Sequence, residues 1–275
     1  MNITASQRRA GRHANIDAGS TTALAIPLRR LYTLLLYLLS PLLLLRLWLR
    51  GGKNPGYRER IGERFGYIAR EDSRPCIWIH AVSVGESQAT QPLVRWLMER
   101  YPEHAIVITT TTPTGADRVR ELYQEEVTHL YFPYDLPMVV KRVLQRLKPR
   151  MLIIMETEIW PNMLRICGDR GIPVILANAR LSEKSAQGYA RLGSFTRATF
   201  GRLSAVAAQS PQDAERFRAL GVPAERIQVT GSIKFDVRLP GSLLDQAEVM
   251  RRVWGTERPV WVAASTHEDE EEQVL

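Results

Sequence analysis

The segment "CIWIHAVSVGESQATQPLVRWLMERYPEHAIVITTTT", residues 76–112, decides the fold. It opens on a short apolar run, "CIWIHA", passes through a stretch of helical composition at residues 88–101, and closes on a second apolar run, "AIVITTTT". Apolar run, helix, apolar run is the pattern of a βαβ unit, and the alternation continues down the chain. Further strand candidates are "VTHLYFPY", "MLIIMET", "IPVILANA", "AVAAQS" and "IQVTGS". Helix candidates fall between them, at about 114–124, 138–147, 163–170, 183–200 and 212–220. Ser210 before Pro211 reads as an N-cap followed by proline at the first helical position, and Gly221 as the stop of the same helix. Pro92 predicts a late start or a kink in the first helix.

Strands this apolar must be covered on both faces, which predicts an α/β fold with a Rossmann-like, doubly wound parallel sheet. In such sheets ligands bind beyond the carboxyl ends of the strands. The residues expected there are Glu86, the threonines 109–112, Asp135, Glu156, Glu158, Asn178, Arg180, Gln209, Ser210 and Lys234.

Composition narrows the class. The chain has 275 residues, 45% hydrophobic and 24% charged, enough for a substantial core. Its net charge of +8 is confined to residues 1–60, where ten basic residues face Asp17 and Glu59; the remainder carries 27 basic and 27 acidic residues. The main body therefore presents no general positive field, and nucleic acid is not an expected partner. Two widely separated cysteines, Cys76 and Cys167, read as reduced core residues.

Between the N-terminal arginines lies "LYTLLLYLLSPLLLLRLWL", residues 31–49, a membrane-anchor helix by composition, with Arg46 able to snorkel and Trp48 suited to an interface. Basic residues flank both sides, so charge alone does not orient it; it reads as spanning or lying in the interface, with a buried helix or a signal peptide as the alternatives. The expected organisation is a disordered basic N-terminus at 1–22, the anchor at 23–50, a Rossmann-like domain at 51–240, and at 241–275 the start of a truncated second domain. Within that order, "GGKNPGYRERIGERFGY" is expected to be a basic linker near lipid headgroups or a solvated connector. "RPVWVAAS", residues 258–265, reads as a further buried strand.

Several residues at the sheet edge have side chains capable of chemistry. Glu86 follows Gly85, which is available for an unusual backbone angle, at a strand-to-helix turn whose amides would keep a carboxylate ionised. It is either a base or a helix-capping charge. Glu156 and Glu158, two apart in "METEIWPN", share a face if the strand stays extended, where they would share a proton, bind sugar hydroxyls or bond loop amides. No His or Cys stands at ligand spacing from them, so no metal is expected. Lys234 in "GSIKFD" is a cation at the same edge or a plain surface lysine, and His80 reads as a core histidine. Two other function classes stay open. "AVSVG" is a degenerate nucleophile elbow that would make Ser83 the nucleophile of a serine hydrolase, and a membrane-tethered, non-catalytic binding module would need no chemistry at all. There is no P-loop and no G-x-G-x-x-G.

In order along the chain, "WIHAVSVGE", "TTTTPTGADRV", "YFPYDLP", "METEIWPN", "NARLSEKSAQGYAR", "AQSPQDAERFRALGV", "VTGSIKFD" and "AASTHEDEEE" resemble the bacterial 3-deoxy-D-manno-octulosonic acid (Kdo) transferases. The resemblance implies a glycosyltransferase of the two-domain GT-B type, anchored on the cytoplasmic side of the inner membrane. It would transfer Kdo from CMP-Kdo to the lipid A precursor in lipopolysaccharide synthesis, with inversion. It implies Glu86 as general base and Glu156 and Lys234 as groups stabilising the transition state. No cofactor is implied beyond the donor substrate, since CMP is already a good leaving group. Arg50, Lys53, Arg58, Arg60 and Arg64 are candidate contacts for the acceptor's phosphates. Most donor-binding motifs of the family are expected beyond these 275 residues, so the fragment by itself is expected to be inactive. Ser87 and Gln88 stand where the family pattern is more apolar.

Overall fold

The computed structural model describes residues 18–69, 72, 74–236 and 241–274. They fall into two compact units, one ending at Phe235 and the other beginning at Asp236.

The first unit opens with α1 (Ala18–Arg50), which starts earlier than the expected anchor. Of the N-terminus expected to be disordered, residues 1–17 lie outside the described residues, and 18–22 are helical. Pro41 stands inside α1 and cannot donate to the Tyr37 carbonyl; the Ser40 hydroxyl does so instead, at 2.8 Å. The stretch from Ile26 to Arg50 is long and apolar enough to cross a membrane. It is not isolated, however. The Tyr32 hydroxyl donates to Asp135 at 3.0 Å, Thr33 bonds Asn162, Leu47 is buried, and Arg58 donates to the Trp48 carbonyl at 3.0 Å. The helix thus lies along the globular body while Leu31, Leu34, Leu38, Leu42, Leu45 and Trp48 stay exposed.

The segment after α1 is a packed strap rather than a free linker. It contains a single 3-10 turn at Pro55–Tyr57 and α2 (Ile61–Arg64). Glu63 accepts from the Tyr131 amide at 2.8 Å, Arg64 accepts from the Tyr134 amide through its carbonyl, and Arg142 donates to the Phe65 carbonyl. Tyr131 belongs to an edge strand, and covering that edge satisfies backbone groups that would otherwise be open to pairing.

Seven strands follow in the predicted alternation: β1 (Cys76–His80), α3 (Val84–Ala89), α4 (Gln91–Arg100), β2 (Ala105–Thr110), α5 (Pro113–Tyr123), β3 (Thr128–Tyr131), α6 (Pro137–Leu147), β4 (Pro149–Met155), α7 (Pro161–Asp169), β5 (Val174–Ala179), α8 (Glu183–Ala190), α9 (Ser194–Phe200), β6 (Ala205–Ala208), α10 (Pro211–Ala219) and β7 (Ile227–Val229). All pairings are parallel and the order is β3-β2-β1-β4-β5-β6-β7. The chain reverses its winding between β1 and β4, so the switch point lies beyond their carboxyl ends.

Alternate strand residues feed two cores. Trp78, Val107, Leu152, Ile154 and Leu176 pack on one face of the sheet, and Ile77, Ile79, Ile106, Ile108, Ile153 and Met155 on the other. Cys76 and Cys167 are buried in the first of these cores, as expected.

Two helix candidates each divide in two. The first breaks at Thr90 ahead of Pro92, and its first part starts at Val84 because Ser83 caps it. The second breaks at Gly193, which adopts φ +51° between α8 and α9. Ser210 caps α10 with Pro211 next, as expected, and Gly221 ends it at φ +104°.

In the second unit, α11 (Gly241–Trp254) is helical, and α12 (Glu270–Val274) realises the acidic helix start. The strand expected at 258–265 does not form, and Val260, Trp261 and Val262 are exposed. A strand is stable only with a partner, and none of the described residues pairs with this segment.

Candidate active site

Beyond the switch point lies a cleft of about 670 Å³ lined by Glu86, Glu156 and Glu158 from the β1 and β4 ends and by Arg180, Ser185, Tyr189 and Arg216 from the β5 and β6 side. Two carboxylates expected from the β4 end and one from the β1 end therefore share one cavity.

Glu86 is placed by the turn that starts α3. Ser83 is the N-cap: its hydroxyl oxygen accepts from the Glu86 amide at 3.3 Å and donates to Glu86 Oε1 at 3.0 Å. Glu86 Oε2 accepts from the Val82 amide at 2.9 Å. This is a variant of the capping box, with Glu three residues after Ser. Gly85 is an ordinary helical residue, and a side chain there would meet nothing, so the unusual angle expected of it is not used. Burial pushes the Glu86 carboxyl above its ordinary value, against the bonds from Val82 and Ser83, and the Glu156 charge adds to the rise. The amides favour the ionised form as expected, but desolvation outweighs them and the net shift is upward. The result is a stronger base than a solvated glutamate.

β4 ends at Met155, and Glu156 turns into the left-handed region at φ +55°, with its amide donating to the Ala177 carbonyl at 2.9 Å. The two glutamates do not share an extended face, yet the turn brings both into the cleft. Burial, and then the nearby Glu86, push Glu158 up to about 7. Opposite, Arg216 donates to the Leu181 carbonyl at 3.0 Å, and Asp213 fixes the same loop by accepting from the Leu181 amide at 2.8 Å. The cleft can take a proton on one wall and face an anionic, hydroxyl-rich ligand with guanidinium and hydroxyl groups on the other.

Lys234 lies on a 3-10 turn (Ile233–Phe235) at the same sheet edge, exposed and outside the cleft lining. Its turn is tied to the sheet by the Ile233 amide, which donates to Asn178 Oδ1 at 3.2 Å; Asn178 itself adopts φ +53°.

The basic strap residues divide. Arg50, Lys53 and Arg58 are exposed, with Arg50 over the Tyr57 ring and Arg58 over Trp48. Arg60 pairs with Glu63 at 2.7 Å and donates to the His129 carbonyl. Arg64 is 4% exposed and donates to the Thr111 carbonyl at 3.0 Å, so it faces the body of the protein.

Other strand-end residues are structural. Thr109 accepts from the Trp78 indole at 2.9 Å, and Thr112 caps α5. Asp135 accepts from the Asn162 and Met163 amides at 2.9 and 2.7 Å and from Tyr32, while burial pushes its carboxyl up to about 7. His80 is buried; its Nδ1 donates to the Thr109 carbonyl at 3.0 Å and its ring stacks on Phe132 at 3.7 Å. Ser83 thus faces a carboxylate, and the histidine nearest it in sequence points into the core. Among the described residues no group of His, Cys, Asp and Glu has the arrangement of a metal site.

Tyr189, Arg216 and Asp213 were not singled out from sequence. Their signal was the helix register: Asp213 and Arg216 stand three apart after the Ser210 cap and meet at 3.6 Å.

The family profile described as 3-Deoxy-D-manno-octulosonic-acid transferase (kdotransferase) matches residues 59–237. The chain is 41% identical over 249 residues to the 3-deoxy-D-manno-octulosonic acid transferase of Haemophilus influenzae, covering 90% of this chain and 58% of that protein. It is 36% identical over 252 residues to the enzyme of the same name from Bordetella pertussis, covering 88% and 58%. A probable mitochondrial 3-deoxy-D-manno-octulosonic acid transferase of Arabidopsis thaliana is 34% identical over 251 residues, covering 90% and 56%. The chain thus spans somewhat more than half the length of these relatives.

Proposed function

The chain belongs to the 3-deoxy-D-manno-octulosonic acid transferase family, and from that premise we propose that the complete protein transfers Kdo from CMP-Kdo to the lipid A precursor, with Glu86 as general base. The observation that carries the reading is the position of Glu86, whose partly buried carboxyl stands at the switch point of a parallel sheet and is held by Val82 and Ser83.

In this reaction an acceptor hydroxyl enters the cleft and its oxygen attacks the anomeric carbon of Kdo. The new C–O bond forms as the bond to the CMP phosphate oxygen breaks, CMP departs with that electron pair, and the hydroxyl proton passes to Glu86. Attack from the face opposite the leaving group inverts the anomeric centre. Positive charge develops on the sugar ring, and the Glu156 carboxylate opposes it electrostatically. Lys234 is assigned to the departing phosphate, and Arg180 and Arg216 to anionic groups of the substrates. The second domain of a GT-B enzyme holds most of the sugar nucleotide in this account.

The acceptor is an amphiphile, so the same reading puts the protein at the cytoplasmic face of the inner membrane, held by α1. Tyr32 and Trp48 both touch the globular body, and the sixteen helical steps from one to the other span about 24 Å. A helix seated along the body over that length lies in the interface rather than crossing the bilayer. Arg50, Lys53 and Arg58 then face acceptor phosphates.

The test is a reaction of the complete protein with CMP-Kdo and the lipid A precursor, read by CMP release and by the anomeric configuration of the product. Acceptor-dependent release of CMP with inversion is expected; retention, or labelling of Ser83 by a fluorophosphonate, would contradict the assignment.

A further inference from the structure

A second cleft, of about 450 Å³, lies between α1 and the helices α6 and α7 and shares no lining residue with the first. Arg29, Arg30 and Arg165 line it together with Thr33, Leu34 and Asn162. Arg202 stands beside them, and Arg29 is within electrostatic reach of Arg165, Arg202, Arg30 and Asp169. Asp169 accepts from Arg165 at 2.8 Å and from Arg202 at 3.1 Å. Asp169 pairs with two of the four guanidiniums and the buried Asp135 acts on Arg165 from the protein side, so two carboxylates answer four guanidiniums. Arg165 keeps a buried Nε–H with no hydrogen-bond partner among the described residues, a donor that is costly to leave unmet. Arg29 and Arg165 are half-buried and Arg30 and Arg202 exposed, and guanidinium forks grouped in this way fit the oxygens of a phosphate.

The other wall says what carries the phosphate. Leu34 lines the cleft, and Leu38, one helical turn on, continues the same exposed row on α1. A ligand seated here has its anionic group on the arginines and an apolar part along the leucines. We propose that this cleft binds the phosphate of an acidic membrane phospholipid, taken from the bulk bilayer rather than as the substrate of transfer. The site rests on the reading of α1 as membrane-associated, and not on the role of Glu86. It gives α1 a fixed depth, because the headgroup that the arginines hold sits at the level of the lipid phosphates.

The experiment is flotation of the full chain with vesicles of phosphatidylcholine, alone or mixed with phosphatidylglycerol, neither containing the acceptor. Wild-type protein is expected to prefer the phosphatidylglycerol vesicles. Arg29→Gln with Arg165→Gln should lower binding to them by at least tenfold, while binding to pure phosphatidylcholine, through the leucines, stays unchanged. Arg29→Lys with Arg165→Lys should fail to restore the preference, because lysine keeps the charge and loses the fork. If the double glutamine variant does not fold, Arg29→Gln and Arg30→Gln on exposed α1 carry the same test.

Four results would overturn the proposal. They are an undiminished preference in the glutamine variants, full rescue by lysine, competition by inorganic phosphate beyond that of chloride at equal ionic strength, and an unchanged lipid preference accompanied by a raised KM for the acceptor. The second would mean a diffuse charge effect, the third a free phosphate site, and the fourth a substrate subsite. Failure of all variants and of wild type to bind either vesicle would instead refute the anchor reading, and the phospholipid site with it.

Discussion

Ser83 and Glu86 hold each other: the serine hydroxyl accepts from the glutamate's amide and donates to its carboxylate, at 3.3 and 3.0 Å. One pair of residues therefore both starts α3 and aims the candidate base. Ser83→Ala should cost about 1 kcal/mol of stability through loss of the cap. It also removes a bond that lowers the Glu86 pKa, so the acid limb of the pH–rate profile of the complete protein should move upward while most of the maximal rate survives. Complete loss of activity at every pH would favour Ser83 as a nucleophile instead.

Glu158, pushed up to about 7 by burial and by Glu86, changes charge across neutral pH. Because the two carboxyls interact, their ionisations appear as properties of the pair. Glu158→Gln should remove the step near neutrality from the pH dependence of kcat/KM and leave the lower step in place, because Glu158 is still neutral while that step titrates. A superimposable profile would separate Glu158 from the base.

His80 offers a test of the core. Burial holds it at about 3, well below the ordinary 6.5. In the unfolded chain it gains a proton as pH falls through 6.5, which the native state refuses. Its contribution to stability is therefore intact above 6.5 and is lost as pH falls towards 3, by about 1.4 kcal/mol per pH unit. Urea unfolding in detergent at several pH values should show that His80→Gln flattens the pH dependence by this slope. Parallel curves would mean that the native state accommodates the charge.

Asp135 binds three donors from two helices, Tyr32 on α1 and the Asn162 and Met163 amides on α7. Asp135→Ala strands them, at a cost on the order of 3 kcal/mol. Hydrogen exchange should accelerate at Asn162 and Met163, and α1 should become easier to cleave near Tyr32. Unchanged protection at both amides would show that α1 and α7 are held by apolar packing alone.

The sheet was legible because parallel strands buried on both faces are written as uninterrupted apolar runs, "CIWIH" and "MLIIM" among them. So was the binding edge, since topology alone puts Glu86, Glu156 and Glu158 at one end of neighbouring strands. What escaped depends on contacts distant in sequence. The strap at residues 51–67 looks like a linker because its glycines and charges are those of a loop, yet Glu63 finds a partner on β3 and Arg64 one just beyond β2. The Glu86 carboxyl was expected to be kept ionised by local amides, which do pull its pKa down, whereas burial by the whole cleft decides the net direction. The run "VWVA" near 260–263 has strand composition and no neighbour to pair with among the described residues.

In the proposed reaction Glu86 takes the acceptor's proton. The most direct measurement is the turnover of the complete protein carrying Glu86→Gln, a change that keeps the size of the side chain and removes its basicity. A loss of roughly 100- to 10,000-fold in kcat, with thermal stability and vesicle binding retained, is the predicted result. Turnover within a few-fold of wild type would contradict it.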